Sequence, residues 1–384
     1  MREVVIVDAL RTPIGKRGGC FSETRPDDLA ATVLKALVSR NEFNPKEIDD
    51  VIMGCVTQIG EQAGDIGRVA ALLAGLPIEV PGVTIDRQCG SSQQSVHFAS
   101  QAILSGDMDI VIAAGVESMT RVPMFSNLKG SKWNDKLVDM FGEFNQGVSA
   151  ERMNEKWNIT REEQDEFAYN SHQKALKAMK QGYFENEIVA VSVNNQDNEL
   201  ISVTKDEGPR ENSSIERLSS LNPVFKETGS ITAGNASQIS DGAAGLLLMS
   251  KEKAHKLGFK PKFRIIGRSV VGSDPSLMLT GPIQATQKVL QKCGLSIDQI
   301  DLFEINEAFA TVPLVWQKEF GVPFEKLNIF GGAIALGHPL GASGARVMVT
   351  LCNALEKTGG RYGLQSICEG HGMANATIIE RLDY

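Results

Sequence analysis

Short apolar segments alternate with helix-like segments along almost the whole of this 384-residue chain. Apolar runs of this length, bounded by turn residues, are typical of buried strands. Strands that alternate with helices are typical of α/β proteins. The pattern therefore predicts an α/β fold with mostly parallel sheets.

The predicted strands are Val4–Val7, Asp50–Cys55, Gly82–Ile85, Ile110–Gly115, Ala244–Met249, Phe263–Ser269, Leu302–Ile305, Asn328–Phe330, Leu364–Cys368 and Ala376–Leu382. The predicted helices include Pro26–Ser39, Ser91–Ser105, Pro282–Lys292, Ala342–Lys357 and a charged helix near Arg161–Gln181.

The two ends of the chain follow one plan. In the first, a strand leads to Cys89 and a helix of small residues follows; in the second, the strand Asn328–Phe330 leads to His338 and a similar helix follows, then a strand that ends at Cys368. Sequence identity between the ends is weak, so an internal duplication is a hypothesis. The more polar segment 120–228 is interpreted as an excursion over one face, where loops carry ligand contacts.

The net charge of −8 argues against a nucleic-acid partner, because such proteins usually present a basic face. An anionic ligand stays possible, since a phosphate site needs only a few local cations and backbone amides. The longest apolar runs are too short to cross a bilayer, so we expect no membrane span.

The six cysteines are widely spaced and form no CxxC pair, which indicates neither a zinc ribbon nor a thioredoxin-like motif. Free thiols in a reducing compartment are expected. The first predicted strand begins so early that a signal or transit peptide is not expected, and a cytoplasmic location is predicted. No metal and no permanently bound cofactor are expected.

Cys89 lies where a strand stops, Gly90 allows a sharp turn and a helix begins at Ser91. Unpaired N–H groups and the positive end of the helix dipole would lower the pKa of a thiol there and could bind an oxyanion. The alternative is a buried, inert cysteine, which is the common fate of free thiols.

His338 is held between Gly337 and Pro339 in a glycine-rich segment. Proline restricts the backbone of its neighbour, so the imidazole stands on a stiff turn and can accept a thiol proton. A packing turn or a phosphate loop are the alternatives, although the lysine of a Walker motif is missing.

Two more motifs end strands. Cys368 is followed by Glu369 and Gly370, which combines a thiol that can act as a general acid or base with exposed N–H donors. Asn306 interrupts an apolar strand end and can hold a water or donate to an oxyanion; otherwise it is a helix N-cap. Active sites of α/β sheets lie at such strand ends.

These motifs together resemble those of the thiolase family over essentially the whole chain. The matching segments, besides those around Asn306, His338 and Cys368, are residues 7–15 (VDALRTPIG), 89–91 (CGS), 115–119 (GVESM), 232–237 (TAGNAS) and 241–244 (DGAA). The resemblance implies a five-layered αβαβα core of two similar halves, with a loop domain over the active site.

The resemblance also implies domains at 1–119 with 229–255 (first half), 120–228 (loop domain) and 256–384 (second half). It implies an acyl-CoA C-acyltransferase that either cleaves 3-ketoacyl-CoA or condenses acetyl-CoA, in a homodimer or homotetramer. Acyl-CoA and coenzyme A would be substrates and the only small-molecule partners.

By the same resemblance, Cys89 is the nucleophile that becomes acylated, His338 activates it, and Cys368 is the general acid or base at the substrate α-carbon. One oxyanion hole would be formed by His338 and a water held by Asn306. The other would be formed by the backbone N–H groups of Cys89 and Gly370.

For coenzyme A, the resemblance places Ser237 near the pantetheine arm and Arg210 beside the adenine. The chain departs from the family at two places. Asn145 and Gln146 replace the His-Met pair of short-chain biosynthetic members, so the acetoacetyl-selective pocket is not expected. His371 stands where glycine is usual, and either lines the active site or points away from it.

The nearest enzymatic alternative is a decarboxylating ketoacyl synthase of the same fold, which would lack the Cys-x-Gly base. The alternative from another class is a silent relative that binds acyl-CoA or lipid, which would have lost Cys89, His338 or Cys368. We predict that 3-ketoacyl-CoA longer than acetoacetyl-CoA is cleaved at least as efficiently as acetoacetyl-CoA itself. The alternative is that neighbouring side chains such as Met278 refill the space and keep the pocket short.

Overall fold

The computed structural model describes residues 2–142, 144–194 and 199–382. In these residues the strands are β1 (Val4–Arg11), β2 (Gly15–Lys16), β3 (Asp50–Gly54), β4 (Gly82–Ile85), β5 (Ile110–Ser118), β6 (Val191–Asn194), β7 (Leu200–Val203), β8 (Ser240–Ser250), β9 (Phe263–Gly272), β10 (Leu302–Ile305), β11 (Tyr362–Glu369) and β12 (Met373–Arg381).

The α-helices of the same ranges are α1 (Pro26–Ser39), α2 (Ile66–Leu73), α3 (Ser91–Ser105), α4 (Asp135–Phe141), α5 (Gln146–Trp157), α6 (Arg161–Lys180), α7 (Ile215–Ser219), α8 (Lys251–Lys256), α9 (Gly281–Cys293), α10 (Thr311–Phe320), α11 (Ala333–Leu336) and α12 (Ser343–Thr358).

Local sequence signals explain where the helices begin and end. Helix α1 starts at Pro26, whose ring suits the first helical position. Helix α3 ends at Ser105 and is capped by Gly106, whose φ of 92° only glycine adopts readily. Helix α6 begins with a capping box between Thr160 and Glu163. The predicted helices Pro26–Ser39 and Ser91–Ser105 are confirmed.

The main sheet consists of two similar halves. The first has the strand order β4-β3-β5-β8-β1 and the second continues as β9-β12-β11-β10. They join where Val5 pairs with Arg264 and Ile6 with Phe263. Beyond β10, Leu327 forms a single parallel bridge with Phe303, in the place that β4 has beside β3. The repeated order supports the predicted plan of two similar halves.

Helices α3 and α12 form the central layer. They contact each other; α3 packs on β3, β5 and β8, and α12 packs on strands of both halves. Helices α1 and α2 cover the first half from outside and α9 covers the second. The result is the predicted five-layered αβαβα core. Its centre is tightly packed, because a Cβ atom on Gly344 would lie 2.1 Å from the backbone nitrogen of Gln93.

The prediction of mostly parallel sheets was wrong. Parallel ladders join β3 to β4, β3 to β5 and β10 to β11, whereas the other ladders of the main sheet are antiparallel. Strands β11 and β12 show one reason. Only residues 370–372 separate them, and a turn that short returns the chain antiparallel.

The predicted strand Asn328–Phe330 was also wrong. Asn328 has a left-handed φ of 45°, which ends extended backbone. Its side chain takes over the pairing with β10: Oδ1 accepts the Ile305 N–H at 2.9 Å and Nδ2 donates to the Ile305 carbonyl at 2.9 Å. Strand-like hydrogen bonds are thus made by an amide side chain at the end of the sheet.

The segment 120–228 contributes α4 to α7 and the small sheet β6-β7. Helices α5 and α6 pack against α10 of the second half, and Trp157 Nε1 donates to the Glu319 carboxylate at 2.6 Å. The three predicted domain boundaries stay predictions. In the part of the chain that the structure describes, no helix is both long and apolar enough to span a bilayer.

Candidate active site

Cys89 occupies a tight turn between β4 and α3. The turn is held at both ends by Ser91, whose Oγ accepts the Arg87 N–H at 2.9 Å and donates to the Gln88 carbonyl at 2.6 Å. A side chain at the next residue would displace the buried Glu369, since a Cβ atom at Gly90 would lie 1.9 Å from Glu369 Oε1. Cys89 lies beside the start of α3, as the sequence predicts. The residue is 3% exposed.

A cavity of about 560 Å³ opens beside this turn, and both Cys89 and Gly370 line it. Much of its remaining wall is apolar, including Phe125, Trp133, Phe144, Phe225, Met278 and Phe309. A concave, largely apolar space with few polar groups is the usual form of a small-molecule site. Asn145, Gln146 and His371 also line it, so both departures from the family pattern lie at this wall.

The imidazole of His338 is buried and held in one tautomer. Ser343 Oγ donates to the Pro339 carbonyl at 2.8 Å, so its 2.6 Å contact with His338 Nδ1 requires a proton on Nδ1. Nε2 therefore carries the lone pair of the ring. Burial, and then the charge of Arg346, lower the pKa of His338 to about 3, which keeps the ring neutral near pH 7.

Asn306 connects the imidazole with the second thiol. Its Nδ2 lies 3.4 Å from His338 Nε2, and its side chain also hydrogen-bonds Cys368. Its Oδ1 is buried and has no hydrogen-bond partner among the described residues. The helix N-cap alternative was wrong, because α10 begins later and is preceded by Ala310. The amide nitrogen of Asn306 thus faces other site residues.

The two thiols are electrostatic neighbours with high pKa values. Burial, and next the charge of Glu369, raise the pKa of Cys89 to about 12. Burial, then Cys89 and Glu369, raise the pKa of Cys368 well above its ordinary value. The expected lowering of the Cys89 pKa was wrong, because loss of water outweighs the helix dipole. A negative charge on either thiol opposes ionisation of the other.

Two acidic residues of this site were not singled out from the sequence. Glu117 accepts the N–H groups of Val56, Thr57 and Gly341 at 2.9, 3.0 and 2.8 Å, which ties the His338 loop to β5. Its position in the GVESM segment was the available signal. Glu369 is buried with neither carboxylate oxygen bonded to a described residue, and burial raises its pKa well above the ordinary value.

The two residues assigned to coenzyme A lie elsewhere. The Ser237 N–H donates to the Ala308 carbonyl at 3.0 Å, and the Arg210 N–H donates to His172 Nδ1 at 3.1 Å. Neither lines the Cys89 cavity; Arg210 lines a separate groove of about 420 Å³. Among the described residues no group of three or more His, Cys, Asp or Glu side chains could hold a metal ion.

Comparison with known families gives a match over both halves. The thiolase N-terminal domain matches residues 4–252 and the thiolase C-terminal domain matches residues 259–381. The chain belongs to the thiolase family. It is an enzyme of the acyltransferase class, which confirms the predicted acyl-CoA C-acyltransferase and disfavours both the silent relative and the ketoacyl synthase.

Similar proteins span the full length. The chain is 47% identical to the steroid 3-ketoacyl-CoA thiolase FadA6 of Mycobacterium tuberculosis, over 100% of this chain and 95% of that protein. It is 46% identical to a 3-ketoacyl-CoA thiolase of Idiomarina loihiensis, over 100% of both. The crystal structure of the Bacillus anthracis acetyl-CoA acetyltransferase superposes with a TM-score of 0.92 at 41% identity, covering 100% of this chain and 99% of that one.

Proposed function

We propose that this thiolase cleaves 3-ketoacyl-CoA thioesters whose acyl group is longer than four carbons. One observation carries the proposal: the polar cluster of two thiols, an imidazole and an amide adjoins a cavity of about 560 Å³ with a largely apolar wall. Such a wall suits an alkyl chain, which gains free energy as its surface leaves water.

In the proposed first half-reaction, Cys89 Sγ attacks the 3-keto carbon and its proton passes to the lone pair of His338 Nε2. The resulting oxyanion accepts hydrogen bonds from the N–H groups of Cys89 and Gly370. Proton transfer during attack suits a thiol with a pKa of about 12, because little thiolate exists beforehand.

The bond between C2 and C3 then breaks. The acyl group stays on Cys89, and the electron pair forms the enolate of acetyl-CoA, whose oxygen is stabilised by His338 and a water on Asn306. Cys368 gives its proton to C2 and acetyl-CoA leaves. Only one thiol needs to be ionised at this stage, which fits the mutual opposition of the two.

In the second half-reaction the thiol of free coenzyme A returns a proton to Cys368, and its sulfur attacks the acyl group on Cys89. The Cys89 thiolate leaves and takes back its proton from His338. The products are acetyl-CoA and an acyl-CoA shortened by two carbons. Every step is reversible, so condensation of acetyl-CoA uses the same groups in the opposite order.

For coenzyme A itself, we propose that Ser237 lies along the pantetheine arm and Arg210 beside the adenine. Arg210 is exposed and lines a groove with Arg217, Leu218 and Leu221, which supports a site that combines positive charge with apolar surface. An Arg210→Ala variant should raise the KM for coenzyme A with little change in kcat.

The acyl-length proposal is tested by kcat/KM for thiolysis of substrates from four to ten carbons. We expect the eight-carbon substrate to be cleaved at least as efficiently as acetoacetyl-CoA, because each accommodated methylene gains roughly 1–3 kcal/mol. A steep fall between four and eight carbons would overturn the longer-chain preference.

A double variant tests whether Asn145 and Gln146, on the cavity wall, set the preferred acyl length. Replacing Asn145 by His and Gln146 by Met restores the short-chain pair, and we expect it to lower the ratio of eight-carbon to four-carbon kcat/KM. Met278 lines the same cavity and is the residue that was expected to refill it if the pocket were short. An unchanged ratio in the double variant would show that these positions do not set acyl length.

A further inference from the structure

His371 lines the cavity, but the proposed reaction steps give its imidazole no role. It lies in the turn between β11 and β12 with φ at 67°, in the left-handed region. Glycine takes this conformation without steric cost, whereas an imidazole side chain is strained there. Backbone strain that is retained at a cavity-lining residue points to a function for its side chain.

The ring of His371 is held by two aromatic rings from the loop segment. Its centroid lies 5.0 Å from that of Trp133 at 74° and 5.5 Å from that of Phe144 at 62°, both edge-to-face contacts. Trp133 and Phe144 also contact each other, with centroids 5.4 Å apart. The three rings form one cluster on the same cavity wall as Cys89, and packing within it fixes the plane of the imidazole.

The ring nitrogens of His371 are available to a ligand. No hydrogen bond joins either of them to another residue within the described ranges, and the ring is half-buried. The charge of Asp86 acts on the ring, and one oxygen of Asp86 already accepts the Gln88 N–H at 2.6 Å. Burial lowers the pKa of His371, so near pH 7 the neutral ring offers one donor and one acceptor.

We propose that His371 is a specificity-determining residue that hydrogen-bonds an oxygen atom on the acyl group beyond the 3-keto carbon. A purely aliphatic chain beside the imidazole would remove water from a nitrogen and leave it unpaired, which is unfavourable. An acyl group with a hydroxyl or carbonyl in reach would replace that water. The preferred substrates are therefore oxygenated 3-ketoacyl-CoA thioesters, a proposal that rests on the proposed thiolase activity.

The test compares the eight-carbon 3-ketoacyl-CoA with a set of derivatives, each of which carries a single hydroxyl group at one of carbons 4 to 8. We expect the wild-type enzyme to prefer at least one derivative by about tenfold in kcat/KM, since sites that bond a substrate hydroxyl reject the analogue without it. The preference ratio is the readout, because a general loss of packing would affect every substrate alike.

Two variants distinguish hydrogen bonding by the ring nitrogens of His371 from packing by its ring. His371→Phe keeps an aromatic ring in the cluster but no nitrogen, and His371→Gly removes the side chain and relieves the strain, so it is not expected to impair folding. In both variants, we expect the ratio of kcat/KM for the hydroxylated derivative to kcat/KM for the plain substrate to fall to about one. His371→Asn, which tolerates the left-handed conformation and can still hydrogen-bond, should retain part of the preference.

The proposal is overturned if no derivative is preferred by the wild type, if the preference survives in both variants, or if the variants lose activity equally on all substrates. The last outcome would assign His371 to packing of Trp133 and Phe144. If the wild type cleaves neither class of substrate, the proposed function itself fails; equal cleavage of both classes overturns only the role of His371.

Discussion

At the scale of single residues, the site combines buried thiols with a neutral, buried imidazole. We predict that brief treatment with acetyl-CoA acetylates Cys89, because the His338 lone pair can accept the thiol proton as the sulfur attacks. Intact-protein mass spectrometry should show the added acetyl group, and Cys89→Ala should abolish it. Cys20→Ala is the control and should keep the label; persistent labelling of Cys89→Ala would rule out this nucleophile.

Cys368 has a different role in the proposed chemistry. We predict that Cys368→Ser is still acetylated at Cys89 but loses the carbon–carbon step by a factor on the order of 10²–10⁴, the usual effect of removing a general acid or base. Single-turnover measurements separate the two steps. Normal condensation together with normal acetylation would show that Cys368 is not the base.

At the scale of elements, the contact between α3 and α12 places the Cys89 turn next to the His338 loop. Gly344 lies in the first turn of α12, and a Cβ atom there would approach the Gln93 backbone nitrogen to 2.1 Å. We predict that Gly344→Ala lowers the free energy of unfolding by roughly 1–3 kcal/mol, the usual effect of overpacking. Urea unfolding measures this.

The control for that substitution is Gly272→Ala, at the end of β9, where no heavy atom lies within 4 Å of the added Cβ. It should leave the unfolding midpoint nearly unchanged. Equal midpoints for the two variants would mean that the central helices can separate without loss of stability.

At the scale of the whole molecule, buried histidines make stability depend on pH. Burial lowers the pKa of His97 to about 3, of His172 to about 4 and of His338 to about 3. The unfolded chain binds these protons near pH 6.5 while the folded chain does not. The stability that comes from keeping these histidines neutral is complete above pH 6.5. It is lost as pH falls toward their folded-state pKa values.

We therefore predict that each of these histidines lowers the free energy of unfolding by up to about 1.4 kcal/mol per pH unit below pH 6.5. Buried carboxyl groups act in the opposite direction, because burial raises the pKa of Glu304 to about 8 and the folded chain then binds its proton more tightly than the unfolded chain does. His97→Gln should make the decrease shallower, since His97 packs in the core with its Nε2 at 2.8 Å from Thr377 Oγ1. Equal slopes for the wild type and His97→Gln would contradict this origin.

The sequence by itself determined the α/β class, the bounds of α1 and α3, and the place of Cys89 at a helix start. These features depend on neighbouring residues: apolar periodicity, proline at a first helical position and glycine after a last turn. The resemblance to the thiolase family in motif order supplied the other expectations, including the residues that line or adjoin the cavity.

Only the tertiary structure decided the electrostatics and the strand directions. The pKa of Cys89 depends on burial and on Glu369, 280 positions away in the chain, so the local helix start predicted the wrong direction. Asn328 ended a predicted strand because its side chain pairs with Ile305 across the fold. Likewise, His371 meets Trp133 and Phe144 only after the loop segment packs over the cavity. Burial and long-range pairing arise from the whole chain, so no short segment can encode them.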